Sequence, residues 1–168
     1  MCKYIEVDIG NQIDNSWNKD TAIALKLNKV SFSLKIREKD KKKLEKKYIK
    51  KVEKRSDKRK NRKVVVMIYS FLLYKLLIGF NGLAKRVRLC RDINPSKHVY
   101  RCLRIISKYY GDEPIDEKIR IRFKKEGHGN SSAHRVANRV YKGRKSPNLL
   151  IKKKDMEDLQ ELIEIAIK

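Results

Sequence analysis

Two carboxylates in KYIEVDIGN, residues 3 to 11, raise the first chemical question. Ile5, Val7 and Ile9 alternate with Tyr4, Glu6 and Asp8, the period of a β-strand, and Gly10 ends the run. Glu6 and Asp8 therefore share one face. Either that face is the wet side of an edge strand, or Asp8 offers its carboxylate to a metal ion. A second constellation is EGHGNSSAHRVANR, residues 126 to 139. Ser131 or Ser132 can cap a helix there, and the open backbone N–H groups of a helix start bind phosphate, with Arg135 and Arg139 adding charge-assisted contacts. His134 and Asn138 are four apart and share a helix face, so His134 suits proton transfer or phosphate orientation and Asn138 a polar ligand or positioner. The plainer reading is a glycine loop joining a strand to a capped helix. Cys90, His98 and Cys102 are three possible zinc ligands where a structural site takes four. No P-loop, GxGxxG, GxSxG or HExxH occurs, so nucleotide-dependent phosphoryl transfer and serine hydrolysis have no support.

The elements that would position these groups read as follows. TAIALKL and VSFSLKIR are alternating runs joined at Asn28-Lys29, a β-hairpin. A basic helix is expected over 40–62, capped by Asp40, with Leu44, Tyr48 and Val52 as a narrow apolar stripe. The β-branched start of VVVMIYSFLLYKLLIGFNGLA reads as a buried strand ending at Ser70, and the remainder as a helix stopping near Gly82. KRVRLCRDI is a strand, PSKHVYRCLRIISKYYG a helix, KIRIRF a strand, and SSAHRVANRVYKG a short helix closed by Gly143. Asp155 opens an amphipathic C-terminal helix over 154–168. One domain over 1–168 accommodates all of this.

Three strands followed by alternating helices and strands resemble the RNase H-like fold. That resemblance implies an α/β domain with a mixed five-stranded sheet, its first three strands antiparallel and strand one central, flanked by helices. It also implies a divalent-metal site, Mg²⁺ or Mn²⁺, for phosphodiester hydrolysis. Asp8 matches the strand-one carboxylate of that family, and Asp92, at the end of a later strand, is the second metal ligand implied. Asn138 stands where the late-helix pattern carries Asp, and Ser70 where a catalytic relative often carries an acid. Two-metal hydrolysis needs several carboxylates around ions about 3.5–4 Å apart. Mg²⁺ itself keeps waters and takes one or two protein carboxylates, which Asp8 and Asp92 would supply.

Charge names the partner. The chain carries a net +24 over 168 residues, and Lys39 to Lys63 alone hold fifteen Lys or Arg against four acids, a net +11. Such a surplus implies a polyanion, and Lys46, Lys47, Lys50 and Lys51 are expected to track a phosphate backbone without reading sequence, on DNA or RNA alike. Three cysteines without CxxC argue against a disulfide framework, and apolar residues alternating with charges from Lys3 onward argue against a signal peptide, so a cytoplasmic protein is expected. The expectation is a nucleic-acid-directed protein acting as a divalent-metal-dependent nuclease. One alternative is a non-catalytic RNA- or DNA-binding protein of the same fold. The other is a small basic membrane protein spanning 64–84, against which Lys75 at mid-span counts roughly 2.5–3.5 kcal/mol.

Overall fold

A computed structural model of the chain describes residues 4–13, 17–51, 53–80, 86–89, 96–123 and 131–168. It is a mixed α/β structure. Strands β1 (Ile5–Gly10), β2 (Thr21–Leu27), β3 (Val30–Ile36), β4 (Arg86–Leu89), β5 (Arg120–Phe123) and β6 (Leu149–Leu150) form one sheet in the order β5-β4-β1-β2-β3-β6. The helices are α1 (Glu38–Tyr48), α2 (Arg55–Gly79), α3 (Ser96–Tyr110), α4 (Ile115–Lys118), α5 (Ser132–Tyr141) and α6 (Lys153–Ile167). β1, β2 and β3 are antiparallel neighbours, whereas β4 runs parallel to β1, β5 to β4 and β6 to β3.

The β2–β3 hairpin forms at its expected turn. Leu27 pairs with Val30, and Asn28 takes a positive φ of 52°, which a short polar side chain tolerates. The sheet has six strands where five were expected. The extra one is short and depends on Asn148, whose Oδ1 accepts from the Ser33 N–H at 2.9 Å and from Ser33 Oγ at 3.1 Å. That side chain imitates a strand backbone and draws the segment after α5 onto the edge of β3.

Two expectations about the middle of the chain are corrected. Val64 to Ser70 are helical, inside one long helix α2, so Ser70 neither ends a strand nor starts a helix. β-branched residues lose only a few tenths of a kcal/mol each in a helix. Burying a Val or Ile side chain returns about 1.5–3 kcal/mol, and Val64, Val66, Met67 and Ile68 are all buried between sheet and helices. Burial outweighs propensity. The single basic helix over 40–62 is instead two, α1 ending at Tyr48 and α2 beginning at Arg55. One straight helix of that length would run roughly 35 Å. Broken in two, it docks Leu44 and Tyr48 on the core, with the Tyr48 hydroxyl donating to Glu164 of α6 at 2.8 Å. Asn61 straps the connection by donating to the Lys50 carbonyl at 2.7 Å and accepting from its N–H at 3.1 Å. Val52 lies outside the described residues.

Asp40 does not cap α1. Asp20, just before β2, accepts from the Glu38 N–H at 2.7 Å, a cap supplied from another element. α6 starts at Lys153, two residues before Asp155, whose side chain in the first turn accepts from the Lys152 N–H at 2.9 Å. Lys75 pairs with Asp155 at 2.8 Å and lies over the Tyr110 ring, so its charge is spent inside the fold. Among the described residues no helix is long and apolar enough to cross a membrane.

Candidate nucleic-acid interface and the Asp8 centre

β1 lies inside the sheet, between β4 and β2, and Asp8 is 4% exposed. The wet-edge reading of Asp8 is thereby overturned. Ile5, Val7 and Ile9 face the core packed under α2, α3 and α6, while Glu6 and Asp8 face α5. Small side chains let α5 come close. Gly10, Ala22, Ala24 and Ser33 share that face of β1, β2 and β3 by register, and Ala133, Ala137 and Val140 of α5 oppose them, all three fully buried. A Cβ added to Gly10 would sit 2.8 Å from the Ala137 carbonyl carbon and oxygen.

That close seat brings the strand-one acid to the polar start of α5. The Ser131 hydroxyl donates to Asp8 Oδ2 at 2.8 Å and accepts from the His134 N–H at 3.0 Å, so one side chain both caps α5 and ties it to β1. The Ile9 N–H donates to Asp8 Oδ1 at 2.8 Å. His134 Nδ1 stands 3.6 Å from Asp8 Oδ2, and Asn138 Nδ2 lies 2.8 Å from His134 Nε2. With the Asn138 amide as donor, Nε2 is the acceptor and Nδ1 carries the proton facing Asp8. The imidazole is one-third exposed, the outer end of a network whose inner end is buried. Ser132 Oγ reaches Glu6 at 3.4 Å.

Of the site residues expected from sequence, Asp8, His134 and Asn138 are thus brought together. Asp92 lies outside the described residues, as do Cys90 and the Gly127-His128-Gly129 loop. Arg135 and Arg139 are exposed one turn apart on the outer side of α5. Lys46, Lys50 and Lys51 are exposed, while Lys47 is engaged with Glu164 at 3.1 Å and Gln160 at 3.0 Å. Lys46 and Lys47 belong to α1, while Lys50 follows it and is held by Asn61 of α2. The zinc reading fails on surroundings: Cys102 is buried, which pushes its thiol up to about 11. His98 is exposed, and slight burial together with Lys97, Arg62 and Arg101 holds its imidazole below the usual value, a setting that repels a cation.

Four arginines of two other strands share Asp8's side of the sheet. Glu6 is in register with Arg88, and Arg88 with Arg122, so Arg86, Arg88, Arg120 and Arg122 stand on the Asp8 side of β4 and β5. Their neighbours Val87, Leu89 and Ile121 are buried on the other side. α5 packs over β1, β2 and β3, and among the described residues no helix covers β4 and β5 on this side. Strand geometry sets the four arginines on a lattice of about 4.8 by 6.6 Å. None forms an ion pair with another described residue. The Tyr4 ring lies under Arg88 and Arg122, with guanidinium carbons 4.9 and 5.7 Å from its centre. The signal was present in the sequence as the alternation Arg-Val-Arg and Arg-Ile-Arg in two strands, which charge counting by segment passed over.

Whether the described residues fit Mg²⁺ or Mn²⁺ can be judged on donors. Among them no group of three or more His, Cys, Asp or Glu side chains could hold a metal ion. Of the two ligands that the resemblance implies, they supply Asp8 alone, and Asp92 lies outside them. No protein-family model, curated protein or solved structure matches the chain.

Proposed function

We propose that this is a nucleic-acid-binding protein of RNase H-like fold whose primary contact is the open arginine face of β4 and β5. The observation that carries it is the lattice of four arginines beside Tyr4, unpaired by described acids and uncovered by any described helix. Guanidinium forks match phosphate oxygens two at a time and lose less hydration than ammonium groups, so this surface suits a phosphodiester backbone. The RNase H-like reading is supported by β1 lying at the middle of β5-β4-β1-β2-β3 with the first three strands antiparallel. Backbone contacts of this kind position a polymer without reading its sequence.

The test is binding of labelled single-stranded and duplex oligonucleotides to the wild type and to Arg88→Ala/Arg122→Ala. The double variant should lose affinity on every sequence tried, and unchanged affinity would refute the assignment of this face. A second reading, phosphodiester cleavage, is favoured by the Asp8–Ser131–His134–Asn138 network next to the same face. Cleavage in Mg²⁺ or Mn²⁺ that disappears in Asp8→Asn while binding persists supports it. Binding by the wild type with no cleavage in either ion removes it.

A further inference from the structure

A second cationic feature lies on the other side of the sheet. Arg55, Lys58, Arg59 and Arg62 recur at i, i+3, i+4 and i+7, one face of α2, and the same stripe continues as Val65, Val66 and Tyr69. The apolar half of this stripe sinks into the core. The cationic half cannot, so it rims a cleft of about 710 Å³ whose opposite wall is Ile9, Ile13 and Trp17 at the end of β1. Ile9 points away from Asp8, so this cleft and the arginine face of β4 and β5 are separate. Trp17 is the single tryptophan of the chain, half-buried against the core. The Lys41 ammonium, bonded to Thr21 Oγ1 at 2.8 Å, stands 5.8 Å from the Trp17 ring centre and helps fix the ring. The Asn61 strap on Lys50 fixes the far rim, and Ile49 of the strapped connection lines the cleft. Walls held this way are formed before anything binds.

We propose that this cleft takes an unpaired nucleotide of a single strand, with phosphates on Arg55, Lys58, Arg59 and Arg62 and a base against Trp17. An apolar floor, one aromatic wall and a cationic rim suit a flat base joined to an anionic backbone. A paired base cannot present its face to Trp17, and a bilayer surface cannot enter a recess of this size. This rests on the nucleic-acid reading above for the polymer, but uses none of its residues.

Because Trp17 is the single tryptophan, its emission reports on the cleft directly. Titration with oligothymidylate should quench it to saturation, whereas a duplex of equal length should leave it nearly unchanged. The exposed triple variant Lys58→Ala/Arg59→Ala/Arg62→Ala should lose the quenching and bind the single strand at least roughly tenfold more weakly, while keeping duplex binding. Trp17→Leu should lower single-strand affinity by roughly tenfold, the scale of one base–aromatic stack, and Trp17→Phe should restore most of it. Single-strand binding by anisotropy without a change in Trp17 emission would overturn the cleft while leaving the arginine face intact. Equal quenching by duplex would overturn the unpaired-base assignment. Quenching by anionic phosphatidylserine vesicles but not by oligothymidylate would assign the cleft to lipid and overturn the proposal. No binding of any nucleic acid would remove both readings together.

Discussion

At the scale of single residues, Ser131 carries more than its size suggests. It caps α5 and donates to a carboxylate that is 4% exposed, so its hydroxyl serves one buried and one half-buried partner at once. Losing a helix cap costs about 1 kcal/mol, and depriving a buried charge of a donor costs at least as much again. Ser131→Ala should therefore destabilise the fold by about 2 kcal/mol in urea unfolding at pH 7. In Asp8→Asn a neutral amide replaces the carboxylate, and the further cost of Ser131→Ala should shrink towards the cap and one neutral hydrogen bond. Additive losses would mean that the two side chains act independently. That Asp8, His134 and Asn138 could carry chemistry was readable from residue types and spacing. The role of Ser131 as the link between them was not, because nothing local to either segment specifies a contact across the sheet.

At the scale of elements, the seat of α5 depends on Gly10. A Cβ there would meet backbone rather than a flexible side chain, Ala137 at 2.8 Å and Asn138 N at 3.0 Å, so α5 itself must move. Gly10→Ala should cost about 1–3 kcal/mol, the usual range for overpacking, and draw His134 away from Asp8. Hydrogen exchange of the α5 amides should accelerate, and an unchanged profile would show that the seat is looser than described. The contact of α3 with α6 has a different character. Tyr110 donates to Asp158 at 2.8 Å and Lys154 pairs with it at 2.8 Å. Burial alone would raise the Asp158 carboxyl, but the bonds from Lys154 and Tyr110, with Lys75 nearby, hold it below the usual carboxylate range. A depressed acid stabilises the fold at every pH above its unfolded value, and that contribution is lost as pH falls through the lower folded value. Stability should therefore drop below about pH 4 in the wild type and less steeply in Asp158→Asn, measured by urea unfolding at pH 7 and pH 3. At the alkaline end, the hydrogen bond to Glu161 pushes Tyr109 up to about 12. Its contribution is complete below the unfolded 10.0 and fades between 10.0 and 12.

At the scale of the molecule, the surplus of +24 is distributed over several surfaces rather than one basic helix. The lysines of 39–63 divide between α1, the strapped connection and α2, while the arginines of β4 and β5 occupy the sheet face beside Asp8. Nucleic-acid affinity should fall linearly on a log–log plot against salt as counterions are released, with a slope of about −0.9 per phosphate contact on a duplex. Arg88→Ala/Arg122→Ala should flatten that slope by up to about 1.8. Neutralising Lys46, Lys47, Lys50 and Lys51 together should weaken binding on unrelated sequences alike. Affinity that does not change between low and moderate salt would contradict the whole electrostatic account.

Local pattern alone determined the period-two strands, the Asn28-Lys29 hairpin, the capped α5 and the clustering of positive charge, because each is a property of neighbouring residues. Tertiary structure decided that Val64 to Ser70 are helical, since burial on all sides outweighs β-branched propensity. It also decided that α1 ends at Tyr48 and α2 begins at Arg55, that Asp20 caps α1 and that a sixth strand returns to β3. Most of all, it decided that Asp8 is buried and that the arginines of β4 and β5 share its side of the sheet. Strand pairing brings residues some eighty positions apart onto one face, and no spacing rule along the chain encodes that neighbourhood.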